Sequence, residues 1–235
     1  MFDPAVAAVE GALAAGAEYA DARVVVARRQ SLEALNRTIE SLEQSESAGV
    51  GVRALIGSSW GFFATADAED ARVAGEAAAA IARASATVPG PPLALADVPV
   101  REDRYETPFA EDPFAVSPSE KADLLVGVTQ TMGSVEGVAL ARAFLTAWDT
   151  EKWFVSSQGH RIHQHLVECG GGIEATAVGQ AETQRRSYPQ AFGQFESGGY
   201  EVIRRFDLAG NAERVASEAV ALLSAPECPA ATTDL

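Results

Sequence analysis

The chain has 235 residues, 47% of them apolar and 7% aromatic, which is enough for a packed core and disfavours a disordered polymer. Lys and Arg total 18 against 33 Asp and Glu, a net charge of −15 that repels phosphate backbones and argues against nucleic acid as a partner. Cys169 and Cys228 are too few for a disulfide framework, no run approaches the roughly 18 apolar residues of a membrane span, and no basic-then-apolar leader opens the chain; a soluble cytoplasmic protein with reduced thiols is expected.

Asp3-Pro4 predicts a helix start, with Asp3 as cap, and Val6, Val9 and Leu13 recur at helical spacing until Gly16. Short extended runs follow at 22–29, 31–36, 38–47, 49–56 and 60–65, spaced closely enough to be hairpins rather than parallel crossovers. Asp67 opens a second helix, and ten alanines between Ala68 and Ala86 let it lie close on a sheet. Residues 88–118 hold seven of the eleven prolines and form an acidic arm, either packed through Tyr105, Phe109 and Phe114 or flexible. Ser117-Pro118-Ser119-Glu120 then reads as a capping box opening a helix to about Met132. In 138–148, Leu140, Arg142, Phe144, Thr146 and Trp148 alternate with Ala139, Ala141, Ala143, Leu145 and Ala147, pointing to opposite faces of a strand. Further runs at 152–156, 162–169 and 173–184 complete a second strand block, and an amphipathic helix from Asp207 ends in a proline turn. The predicted fold is α+β: a curved, mainly antiparallel sheet from two strand blocks with about four flanking helices. The organisation expected is 1–87 (helix, strand meander and Ala-rich helix), 88–118 (arm) and 119–235 (helix, second strand block and C-terminal helix).

Few residues suggest chemistry. Gly49-Val50-Gly51 lacks the third glycine of a dinucleotide loop and the lysine of a P-loop, so it reads as a strand that another backbone approaches. His163 and His165 share a strand face and could chelate zinc, with His160 on the other face or in a turn. No glutamate adjoins either on a helix to act as base, and ordinary surface histidines are the expectation. Cys169 before Gly170-Gly171-Gly172 could be a nucleophile on a flexible turn, but no base is evident beside it, and a small apolar residue ending a strand is expected. Arg185, Arg186 and Tyr188 could hold a peptide carboxylate or a partner's acid, and Arg53 and Trp60 are the other candidate peptide or partner contacts. No catalytic or metal-binding residue is assigned.

Several stretches fall in a recognisable order: Ser47-Ala48-Gly49-Val50-Gly51-Val52-Arg53 with Trp60-Gly61-Phe62, Glu120-Lys121 with Leu124-Leu125, Ser156-Ser157-Gln158-Gly159, and Gly198-Gly199-Tyr200-Glu201. The ending, from Leu222-Leu223 through Cys228-Pro229, completes the series. Together they resemble the N-terminal domain of the TldD/PmbA family, metallopeptidases once named modulators of DNA gyrase. Gln158 stands where the family commonly has Glu. The resemblance implies a zinc peptidase acting on unfolded peptides and assembling as a homodimer or as a heterodimer with a related subunit. Its His-Glu-x-x-x-His motif is expected in a catalytic domain after Leu235, and none of the three histidines here belongs to such a motif. On that reading the whole chain is one substrate-enclosing and assembly domain. It has no cofactor of its own, binds neither nucleic acid nor membrane, and is inactive alone. The alternative is a stand-alone, non-catalytic interaction or regulatory subunit.

Overall fold

The computed structural model describes residues 1–88, 90–91, 93–226 and 232; Cys228 lies outside them. Helix α1 (Asp3–Ala14) is followed by strands β1 (Tyr19–Leu35), β2 (Thr38–Ile56) and β3 (Ser59–Thr65), then helix α2 (Ala71–Ser85). Strand β4 (Glu102–Glu106) and helix α3 (Pro118–Met132) lead into β5 (Val138–Ser156), β6 (Arg161–Val178), β7 (Thr183–Tyr188) and β8 (Gln194–Ser197). Helices α4 (Glu201–Phe206) and α5 (Leu208–Leu222) close the described chain. The strands form one sheet in the order β3-β2-β1-β5-β6-β4, with β7 and β8 also paired to β6. Strand β2 pairs with β3, and β6 with β7 and β8, in antiparallel ladders, while β4 runs parallel to β6. The architecture is therefore mixed α+β, as the strand spacing predicts. Among the described residues no helix is long and apolar enough to cross a membrane.

Contacts divide the chain into two compact units. Unit 1 is Met1–Arg29, Ser45–Thr107 and Trp148–Val167; unit 2 is Gln30–Gln44, Pro108–Ala147 and Glu168–Leu235. In unit 1, helices α1 and α2 pack over Ala20, Ala22, Val24, Val50 and Val52. Small residues are required there: a Cβ on Gly75 would lie 2.0 Å from the Ala8 carbonyl oxygen, so the two helices meet backbone against backbone. In unit 2, Leu125, Val128 and Met132 of α3 and Ala212, Val215 and Ala216 of α5 share a core with Ala141, Ala143, Leu145 and Ala147 of β5. Those four β5 residues are fully buried, on one of the two faces that the alternation defines.

The differences from the sequence reading have local causes. Asp3 is not the cap of α1; Phe2 takes that position and no side chain bonds the free amides. Strands predicted as pairs of short runs are continuous: β1 runs through residue 30, β2 through 48, β5 through 149–151 and β6 through 170–172. Gln30, buried in mid-strand, accepts a hydrogen bond from Lys121. The C-terminal helical region is two helices, since Asp207 turns into the left-handed region at φ 47° and its carboxylate caps α5 by accepting from the Gly210 amide. That makes five helices among the described residues where about four were expected. The helix start at Ser117 is as predicted: its Oγ accepts from the Glu120 amide at 3.1 Å. The 88–118 stretch contains β4, whose flanks are tied down by bonds from the Arg161 amide to the Arg101 carbonyl and from the Thr107 amide to the His165 carbonyl.

Candidate functional site

Three strand residues spaced by two, Tyr19, Asp21 and Arg23, begin the site in unit 1. That spacing places their side chains on one face of β1. The Asp21 carboxylate is fully buried and accepts four hydrogen bonds. Arg53 of β2 grips it with two donors, Nε to Oδ1 at 3.1 Å and Nη2 to Oδ2 at 2.5 Å. Arg23 Nη1 donates at 3.3 Å and the Tyr19 hydroxyl at 3.1 Å. The two-pronged geometry matches a planar guanidinium to a carboxylate. Burial, then the Asp21 charge, pushes the Tyr19 phenol up to about 12, and the hydrogen bond to Asp21 raises Arg53 above its ordinary value. Trp60 of β3 completes the group: its ring meets Tyr19 edge-on at 5.8 Å, and the Arg53 guanidinium lies 5.1 Å from its ring centre.

A cavity of about 470 Å³ opens beside Tyr19. Its apolar walls are Leu95, Val98, Phe154 and Ile162, and His160 also lines it. His160 is only 8% exposed, so it is not the surface residue that the sequence suggests. Its Nδ1 accepts from the Arg101 amide at 3.1 Å, and its own backbone is bonded to Ser156.

The other two histidines each meet a carboxylate. His163 Nε2 lies 2.9 Å from Glu151, with its ring stacked 5.0 Å from Trp153. His165 Nε2 lies 2.9 Å from Asp149, which also binds Arg28 at 2.7 Å. Among the described residues no three His, Cys, Asp or Glu are grouped to hold a metal ion. The donors present therefore do not fit zinc, which needs three or four ligands converging on one point.

The remaining candidates fall in unit 2. Arg185 Nη1 lies 3.6 Å from Glu174, and Arg186 Nε donates to Glu218 at 2.6 Å. The Arg214 guanidinium lies 5.2 Å from the Tyr188 ring centre. Thus Arg53 and Trp60 are brought together, as are Arg185, Arg186 and Tyr188 along β7, each arginine already holding an internal acid. Unit 2 also contains a knot that the sequence did not reveal. Fully buried Lys121 donates to Gln30 Oε1 and to the Pro113 carbonyl, 5.7 Å from the Tyr200 ring centre. Burial lowers Lys121 below its ordinary value and pushes the Tyr200 phenol and the Cys169 thiol each up to about 12. A thiol so held carries no useful thiolate at neutral pH. The glycines after it are strand rather than turn: a Cβ on Gly171 would lie 2.3 Å from the Phe144 carbonyl oxygen. Asp21 and the burial of His160 escaped the sequence reading; the period-2 run at 19, 21 and 23 was the signal available for Asp21.

Two family models match the chain: PmbA/TldA metallopeptidase domain 1 over residues 20–87 and the PmbA/TldA metallopeptidase central domain over residues 111–223. The chain belongs to the TldD/PmbA family. A metalloprotease from Methanothermobacter thermautotrophicus is 25% identical over 221 residues, covering 93% of this chain and 46% of the relative. A Thermotoga maritima protein described as a modulator of a DNA gyrase shares the fold at TM-score 0.74 and 16% identity, over 97% of this chain and 49% of that one. TldE from Thermococcus kodakarensis shares it at TM-score 0.58 and 15% identity, over 91% of this chain and 45% of that one. The chain spans about half the length of these relatives.

Proposed function

We propose that the chain forms the substrate-enclosing and assembly part of a TldD/PmbA-type zinc metallopeptidase acting on unfolded peptides in the cytoplasm, with the hydrolytic groups elsewhere in the protein. The observation that carries this reading is the ordered match to two metallopeptidase domains in a chain whose described donors do not fit zinc. Zinc hydrolysis needs fixed ligands, a coordinated water and a general base. The side chains here suit positioning instead. Strand β3 ends the sheet order on one side, where an extended peptide can add as a further strand with Trp60 offering an aromatic face. Arg53, already bound to Asp21, orients Trp60 in this scheme. Arg185, Arg186 and Tyr188 serve as contacts to a second subunit, identical or related. Residues 1–87, 88–118 and 119–235 act together as one non-catalytic body.

The test compares cleavage of an unstructured peptide by this chain and by a version extended with a family-type metal-binding domain, each with and without zinc. Chelator-sensitive cleavage is expected only from the extended version. Metal-dependent turnover by residues 1–235 alone would place the chemistry inside the chain. Failure of both would favour a non-catalytic partner subunit.

A further inference from the structure

The cavity beside His160 has a chemical bias that none of the preceding roles uses. Because Nδ1 accepts from the Arg101 amide, the neutral imidazole must carry its proton on Nε2. That Nε2–H has no hydrogen-bond partner among the described residues; since none of their fully buried side-chain donors lacks one, Nε2 is open to the cavity that His160 lines, although the residue as a whole is more than nine-tenths buried. A donor held in a fixed tautomer beside apolar walls is an incomplete hydrogen bond, and it selects a ligand that brings an acceptor. Two further groups narrow the choice. Arg101 also lines the cavity, and among the described residues its guanidinium makes no ion pair, so a negative acceptor is favoured over a neutral one. The Tyr19 hydroxyl donates its proton to Asp21, so it cannot replace His160 as donor. Leu95, Val98, Phe154 and Ile162 supply an apolar wall, and about 470 Å³ is within the roughly 300–1,000 Å³ of small-molecule sites.

We propose that this cavity binds a carboxylate carried on an apolar group, with the carboxylate facing His160 Nε2 and Arg101 and the apolar group against Val98, Phe154 and Ile162. The carboxylate belongs either to a peptide ending in an apolar residue or to a free branched aliphatic acid. The assignment needs no hydrolysis and stands whether or not the peptidase reading does.

Calorimetric titration of the whole chain with N-acetyl-Leu-Leu, its C-terminal amide and 4-methylpentanoate tests it. The peptide acid should bind saturably at one site per chain and at least about tenfold more tightly than the amide, as expected when a hydrogen bond to a charged group is lost. Arg101→Gln, at an exposed position, should weaken the acid about tenfold and leave the amide unchanged. Nitrogen NMR should show the His160 Nε2 signal moving on addition of the acid, which requires no variant of the buried ring. Ile162→Trp, which fills the cavity, should abolish binding. If 4-methylpentanoate binds as tightly as the peptide acid, the ligand is a free acid; a clear preference for the peptide identifies a chain terminus. Equal binding of acid and amide, no saturable binding, or an unmoved His160 signal on saturation would each overturn the proposal.

Discussion

Unit 1 buries a negative charge and unit 2 a positive one, and the two are satisfied in opposite ways. Asp21 is fully buried, but its partners Arg53 and Arg23 keep 44% and 42% of their side chains in water. Only one member of the pair loses its hydration, and the guanidinium supplies two aligned donors at once. Lys121 is fully buried with neutral oxygens for partners, and among the described residues no carboxylate lies within ion-pair distance. Burial outweighs the more distant charges of Asp112 and Glu120 and lowers its proton affinity, whereas pairing raises that of Arg53. The contrast teaches that a buried charge can act as a strong clamp or as a connector. Asp21 is a clamp on strands β1 and β2; Lys121 ties β1, the Pro113 segment and α3 together by hydrogen bonds whose net energies are modest.

The largest effect that tests this contrast is alkaline. Tyr19, Tyr200 and Cys169 hold their protons to about 12 in the folded state, while the unfolded phenols and thiol lose theirs near 10 and 9. The folded state then binds more protons, so stability is full below about pH 9 and falls as pH rises to about 12. Lys121 works with the opposite sign. Its folded value lies below the usual 10.5, so its contribution to stability rises with pH through the lowered value and levels off above about 10.5. Above about pH 9 three groups oppose one, and urea midpoints measured from pH 8 to 12 should fall from about pH 9 upward. A flat profile would mean that neither unit excludes water as described.

Arg53→Ala is the next largest. It leaves the buried carboxylate with only Arg23 and Tyr19, and should cost about 3 kcal/mol, the lower end of what stranding a buried charge costs. Arg53→Lys should recover only part of this, because an ammonium cannot make the two parallel bonds. A loss below about 1 kcal/mol in urea denaturation would reduce the clamp to an ordinary surface pair and remove the contrast.

What was legible in the sequence was local. The start of α3 followed from Ser117, Pro118 and Glu120 because a capping box is written within four residues. The two faces of β5 followed from strict alternation, though not which of them is buried. The start of α5 at Asp207 was legible as well, but the short helix α4 before it was not, since six residues leave little periodicity to read. Nor was the site. Asp21 and Arg53 are 32 residues apart, Gln30 and Lys121 are 91 apart, and the Arg101 amide that fixes His160 comes from 59 residues before it. Such pairings depend on sheet order, which periodicity does not encode. Trp60 and Arg53 were singled out together, but the acid that organises them was not.

Lys121→Met should have a smaller effect than Arg53→Ala. It removes a desolvated charge while leaving Gln30 Oε1 and the Pro113 carbonyl without their donor. The two terms oppose each other, and a net loss of about 1–2 kcal/mol is expected from the stranded acceptors. Urea denaturation at pH 7 and pH 10 measures it. Because the variant lacks the group whose contribution rises with pH, its deficit should be larger at pH 10 than at pH 7. A deficit above about 4 kcal/mol at pH 7 would show that the ammonium is held as strongly as an ion pair, and the connector reading would fail.

Arg186→Ala should have the least effect, and it sharpens the comparison from outside both interiors. Arg186 and Glu218 approach to 2.6 Å, as close as Arg53 approaches Asp21, yet their side chains are 52% and 37% exposed. Distance alone would rank the two pairs together; burial ranks them far apart. Glu218 also keeps Arg214 at 2.8 Å, so the variant strands no charge. The expected loss is about 0–1 kcal/mol in dilute buffer, vanishing in about 1 M salt, where charges are screened over roughly 3 Å. Both arginines hold the Glu218 carboxyl below its ordinary range, Arg214 first. Its contribution is therefore present above the usual carboxylate range and lost as pH falls through the lowered value, and in the variant this acid-side slope should shrink without disappearing. A salt-independent loss above about 2 kcal/mol would mean that proximity rather than burial sets the cost. The difference drawn between the clamp at Asp21 and the exposed pairs of β7 would then have no physical basis.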